Sequence, residues 1–215
     1  MFENNVKSVG NYRFKSAELG KFNSTNSDPA VAGMKEGSRI IGLTMGRFSL
    51  IDLIHSILEK TGPAHIVVAT WSAGIKDAHQ VKWMLDSKLI RTFKLCTDHS
   101  YKTRQAKYAA SIEDLFGREN IRTSEIHAKF TLIHNENWNV CIRTSMNLNA
   151  NATCESFEID CDKEIFDFYM QFIESTFGNM PTGFCTQNAI VASAVEKFFN
   201  VKTDKKHVNH AFSDL

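Results

Sequence analysis

Ile126-His127-Ala128-Lys129-Phe130-Thr131-Leu132-Ile133-His134 is followed, across Asn135-Glu136-Asn137, by a run ending in Cys141-Ile142-Arg143-Thr144-Ser145-Met146-Asn147. Glu155-Ser156-Phe157-Glu158-Ile159 comes shortly after. The first two runs read as strands near 126–134 and 138–144, and the three-residue link makes them an antiparallel hairpin. Residues two apart on a strand share a face, so His127 and Lys129 are expected to project together. Thr144 ends the second strand and delivers Ser145 and Asn147 to the same level. An imidazole, an ammonium, a hydroxyl and a carboxamide then converge on one point.

Outward from this hairpin the chain alternates strands and helices. Arg39–Thr44 reads as a strand, and Ser49 with Asp52 three residues on starts a helix whose Leu50, Ile51, Ile54, Ile57 and Leu58 recur at helical spacing. Gly62-Pro63 ends that helix, and His65–Trp71 is the β-branched run of a buried strand. A helix near 75–88, a strand over Ile90–Cys96, helices over Ala106–Phe116 and Asp162 to about Phe177, and a last helix near 187–199 complete the pattern. The hairpin among these alternating elements predicts an α/β fold with a mixed central β-sheet flanked by helices on both faces. Residues 1–38 read as an irregular N-terminal extension, 39–200 as the domain proper and 201–215 as a polar tail.

Composition sets bounds. The chain has 215 residues, 43% hydrophobic and 23% charged, which is an ordinary globular balance and enough length to bury roughly 70% of its unfolded surface. Twenty-five Lys and Arg against 24 Asp and Glu give a net charge of +1, so only local clusters can speak for a polyanionic partner. Cys96, Cys141, Cys154, Cys161 and Cys185 form no C-x-x-C pair, which argues against zinc and for reduced, mostly buried thiols. The first residues lack the apolar run of a secretory signal, so a cytoplasmic protein without stable membrane insertion is expected. Phosphate-loop, dinucleotide, nucleophile-elbow and H-E-x-x-H strings are all missing from the sequence.

The converging side chains suit phosphodiester chemistry. Histidine can form a covalent intermediate, lysine neutralises non-bridging oxygens, and Ser and Asn donors hold the oxygens of a trigonal-bipyramidal transition state. No metal or other cofactor is required by that logic. A carboxylate such as Glu155, accepting from the ring N–H, would fix the imidazole tautomer.

At these residues the sequence resembles the phospholipase D superfamily, with its H-x-K-x4-D, G-S-x-N and following Glu. The match is His-Ala-Lys at 127–129, Thr-Ser-Met-Asn at 144–147 and Glu155, with the short spacing of the nuclease-type branch. The motif Asp falls on His134, which reads either as a site residue in place of the Asp or, the preferred reading, as a solvent-facing strand end, and the motif Gly falls on Thr144. The resemblance implies a metal-independent nuclease acting on DNA, with His127 as nucleophile, Lys129, Ser145 and Asn147 on the phosphate, and Glu155 orienting His127. That superfamily builds one site from two motif copies, and no other histidine here has Lys two residues on. The resemblance therefore implies a homodimer with paired His127 residues.

The stretch Asp98–Tyr108 interleaves Tyr101 and Tyr108 with Lys102, Arg104 and Lys107, which with Thr144 are expected to bind substrate. Trp71 is expected mainly as core, and the Phe-rich helix around Phe166, Phe168, Tyr169, Phe172 and Phe177 as core or dimer interface. Lys202, Lys205, Lys206, His207 and His210 could add phosphate contacts. Two further readings are a non-catalytic nucleic-acid-binding module of the same fold and a phospholipid hydrolase or transferase. A separate specificity partner is also compatible, because no sequence-reading domain of known type is visible.

Overall fold

The computed structural model describes residues 17–150, 152–186 and 188. Eight strands form one sheet: β1 (Ala17–Lys21), β2 (Arg39–Leu43), β3 (Ala64–Thr70), β4 (Ile90–Asp98), β5 (Ile121–Ser124), β6 (Phe130–His134), β7 (Asn139–Thr144) and β8 (Ser156–Asp160). Their order is β1-β2-β8-β7-β6-β3-β4-β5. β1 runs parallel to β2, and β3, β4 and β5 are mutually parallel, whereas β6 and β8 oppose their neighbours. Six strands thus point one way and two the other, giving the mixed sheet.

The helices are α1 (Asp28–Val31), α2 (Leu50–Thr61), α3 (Ile75–Asp86), α4 (Tyr101–Arg104), α5 (Ala106–Phe116) and α6 (Lys163–Asn179). α2 begins as its sequence dictates: Ser49 and Asp52 form a reciprocal capping box. It ends at Gly62, whose φ of 78° is a conformation that costs glycine little. One sheet face carries Ile40, Ile66, Val68, Leu95, Ile133, Ile142 and Ile159, packed with Leu53, Ile54 and Ile57 of α2, Val81 of α3 and Ile112 of α5. The other face carries Val67, Ala69, Cys96, Phe130, Leu132 and Cys141 under Phe166 and Ile173 of α6. Helices therefore cover both faces, and each strand alternates its side chains between two cores.

Residues 17–38 are more than an irregular extension. β1 adds a strand to the sheet edge, and Ala30, Val31 and Met34 enter the larger core. The helix expected near 187–199 and the tail from 201 lie outside the described residues, apart from residue 188. Four of the five thiols are buried, and burial pushes those of Cys96 and Cys141 up to about 12. Among the described residues no helix is long and apolar enough to cross a membrane.

Beside α6 the sheet buries charge. Asp160 is 1% exposed and pairs with both Arg39 and Arg143, the latter at 2.7 Å; Arg143 also pairs with Glu158. These residues sit on three adjacent strands, so the network ties β2, β8 and β7 together.

Candidate active site

Strand direction decides where chemistry can gather. The C-terminal ends of β2, β3, β4, β5 and β7 and the N-terminal ends of β6 and β8 share one edge of the sheet. Open α/β sheets bind ligands at such an edge, where chains leave the sheet in loops. His127, Lys129, Ser145, Asn147 and Glu155 all come to it.

His127 and Lys129 precede β6 rather than lying on it. β6 starts at Phe130, opposite Ala69, because β3 ends one residue later and leaves Ile126–Lys129 nothing to pair with on that side. On the other side the ladder continues, with Thr144 N–H donating to the Lys129 carbonyl at 3.1 Å. Lys129 Nζ reaches back to the His127 carbonyl at 3.4 Å, so the ammonium lies beside the imidazole's own backbone. His127 is exposed and Lys129 half-buried.

Asn147 is fixed from β3. Its Oδ1 accepts from Thr70 Oγ1 and from Ser72 N–H, both at 3.2 Å, which leaves the Nδ2 hydrogens as donors. The loop beyond is held by Gly74 N–H on Leu148 O at 2.7 Å and by Ala150 N–H on Asp77 Oδ2 at 3.1 Å. Burial raises the Asp77 carboxyl above the usual carboxylate range, and the bond from Ala150 works against that rise.

Ser145 and Glu155 bind each other: the Ser145 hydroxyl donates to the Glu155 carboxylate and accepts from Ser156 N–H at 2.9 Å. Thr153 Oγ1 also donates to Glu155, at 3.1 Å. In this arrangement the Ser145 proton is committed to Glu155, so the pair shapes the rim. Thr144 likewise closes the turn, its hydroxyl donating to Ser156 O at 2.8 Å and accepting from Met146 N–H at 3.0 Å. Thr44, fully buried at the end of β2, exchanges bonds with the Glu155 backbone at 2.9 and 3.1 Å. Gly46 lets this loop approach, since a Cβ there would stand 2.2 Å from Ala152 O.

Trp71, expected as core, is half-buried at the end of β3 and belongs to the site. Its ring centroid lies 5.6 Å from that of His127. On Trp71 stacks the Arg104 guanidinium, Cζ 3.7 Å from the ring centroid, with Nη2 donating to the Trp71 carbonyl at 3.0 Å. The expected basic residues therefore divide. Arg104 joins the site, whereas Lys102 and Lys107 are exposed on α4 and α5 with no bond to the site among the described residues. Thr44, Thr70 and Thr97 are buried at the ends of β2, β3 and β4, beside this edge.

His134 lies at the other end of β6, roughly 17 Å along the strand from Lys129. It stacks on His65 with centroids 5.0 Å apart and meets Phe166 edge-on at 5.5 Å. It is thus partly enclosed rather than solvent-facing. Burial, then the neighbouring His65, lowers its pKa below the ordinary imidazole value. The residue standing where the motif has Asp is therefore far from His127.

No protein-family model and no curated protein matches the sequence. The fold does have solved counterparts. NucT from Helicobacter pylori superposes with a TM-score of 0.50 at 14% identity, over 68% of this chain and 99% of that one. Nuc from Salmonella typhimurium, described as a phospholipase D family member, gives 0.48 at 12% identity, over 67% and 97%. The chain shares its fold with NucT. Phosphatidylserine synthase from Haemophilus influenzae Rd KW20 also matches, with a TM-score of 0.47 at 12% identity, over 78% of this chain and 46% of that one. On this sheet the H-x-K pair lies just before a central antiparallel strand, and the S-x-N segment leaves the strand beside it.

Proposed function

We propose that this protein is a metal-independent phosphodiesterase that cleaves nucleic acid, DNA first, with His127 as nucleophile. The observation that supports this most is the grouping of His127, Lys129 and the Asn147 amide on one sheet edge beside the Trp71–Arg104 stack. An imidazole nitrogen of His127 attacks phosphorus, the P–N bond forms and the P–O bond to the leaving strand breaks. Lys129 and the Nδ2 hydrogens of Asn147 take the negative charge gathering on the non-bridging oxygens. The Ser145–Glu155 pair holds the rim around them. Water then attacks the phosphohistidine, releasing the phosphate end and restoring the ring. The leaving oxygen needs a proton, and the His127 of a second copy supplies it in a homodimer whose twofold axis passes through the paired sites.

Nucleic acid is favoured over phospholipid because a cation and an aromatic ring stand beside His127, as a flanking phosphate and an unstacked base require. Lys102 and Lys107, exposed on either side of Arg104, extend that charge. Plasmid, single-stranded DNA, RNA and phospholipid vesicles incubated with the protein in EDTA test the reading. Cleavage of a nucleic acid is the expected result. Turnover of vesicles alone would reassign the substrate, and salt-dependent DNA binding without products would make the protein a binding module.

A further inference from the structure

His127 poses a geometric problem. Its backbone lies outside the regular strand, its side chain is exposed, and its imidazole has no hydrogen-bond partner among the described residues. A side chain so placed is free to sample several staggered rotamers, yet nucleophilic attack needs the reacting nitrogen within a narrow range of position. What meets the ring is Trp71, at 5.6 Å between centroids and an interplanar angle of 56°.

Trp71 is itself held from beyond. Arg104 covers its face and is held in turn: Ser100 Oγ accepts from Arg104 Nε at 2.9 Å, Asp98 Oδ1 accepts from Ser100 N–H at 2.9 Å, and Arg104 Nη2 donates to the Trp71 carbonyl. A guanidinium stacked on an indole loses less freedom per bond than a flexible ammonium, so the clamp is stiff. The chain Asp98–Ser100–Arg104–Trp71 thus carries the rigidity of the end of β4 across β3 to His127.

Resting on the proposed phosphodiesterase reading, we propose that Trp71, clamped by Arg104, is a positioning residue that holds the His127 imidazole aimed at phosphorus. Towards a diester that offers neither a base nor a flanking phosphate, it is needed for the rate of attack and not for affinity. Bis(p-nitrophenyl) phosphate is the suitable probe, because its single phosphate makes no use of Arg104 as a flanking-phosphate contact.

Trp71→Leu keeps apolar bulk but removes the aromatic face, and Trp71→Phe keeps a face. With this probe Trp71→Leu is expected to lower kcat by about 10- to 100-fold with KM changed less than about 2-fold, and Trp71→Phe to restore most of the rate. Arg104→Ala is expected to lower kcat by a smaller factor in the same way. An active wild type with Trp71→Leu at the same kcat overturns the positioning role alone. So does equal loss in the Leu and Phe variants, or a loss confined to KM. A wild-type protein inert towards this probe and every nucleic acid overturns the reading of function and this inference with it.

Discussion

His127→Ala loses phosphodiester cleavage by on the order of 10^4-fold or more, while its melting temperature and its affinity for DNA stay close to those of wild type. The size follows from chemistry: without the imidazole no covalent intermediate forms, and Lys129 and Asn147 are left to stabilise attack by water alone. The selectivity follows from structure. His127 is exposed, no hydrogen bond of the fold depends on its ring among the described residues, and its neighbour Trp71 stays clamped by Arg104. In a shared twofold site the variant also silences its partner, so mixing it with wild type should reduce activity by more than the fraction of variant protomers. Gel-based cleavage in EDTA with a thermal melt beside it measures both halves. Undiminished cleavage by the variant would remove His127 from the reaction.

The largest effect on stability is expected at Asp160. Its carboxylate is 1% exposed and pairs with Arg39, whose side chain is 11% exposed, and with Arg143. Asp160→Ala leaves both guanidinium groups without their buried partner, a defect that costs about 3–5 kcal/mol. Arg143 keeps Glu158, and Ile40, the neighbour of Arg39, anchors β2 in the core. Asp160→Asn keeps two polar atoms in place and is expected to lose less. Urea unfolding followed by circular dichroism measures the difference. A loss below about 1 kcal/mol for the alanine variant would show that the network contributes little to holding β2, β8 and β7 together.

Much of the architecture was legible because local rules and tertiary structure agree. Ser49 and Asp52 announce a capping box and make one, and the helix read over Ala106–Phe116 is α5 with those bounds. Asn135-Glu136-Asn137 makes a hairpin, in which Asn135 Oδ1 accepts from the backbone of Asn137 and Trp138. The failures have causes that one dimension hides. The apolar alternation of 126–134 runs on past the point where β3 ends, so His127 and Lys129 read as strand although only β7 remains beside them. β1 is exposed along most of its length and carries no apolar face. β8 places Glu158 and Asp160 towards Arg143 and Arg39, and these pairings exist only once three strands are side by side.

The site shows the same division. The motif residues were visible because their spacing survives in sequence, and the sheet does bring His127, Lys129, Ser145, Asn147 and Glu155 to one edge. Their partners were not visible. Trp71 closes a β-branched run and so reads as core, and nothing local links it to Arg104 or His127. Glu155 reads as a partner for the imidazole, whereas the fold sets Ser145 beside it through the β7–β8 turn.

Attack by His127 through a covalent phosphohistidine leaves its record in the stereochemistry at phosphorus. A phosphorothioate diester of known configuration, cleaved by the protein in oxygen-labelled water, should give a product with retained configuration, because two successive in-line displacements each invert the centre. Inversion would mean that water attacks phosphorus in a single step, and His127 would not be the nucleophile.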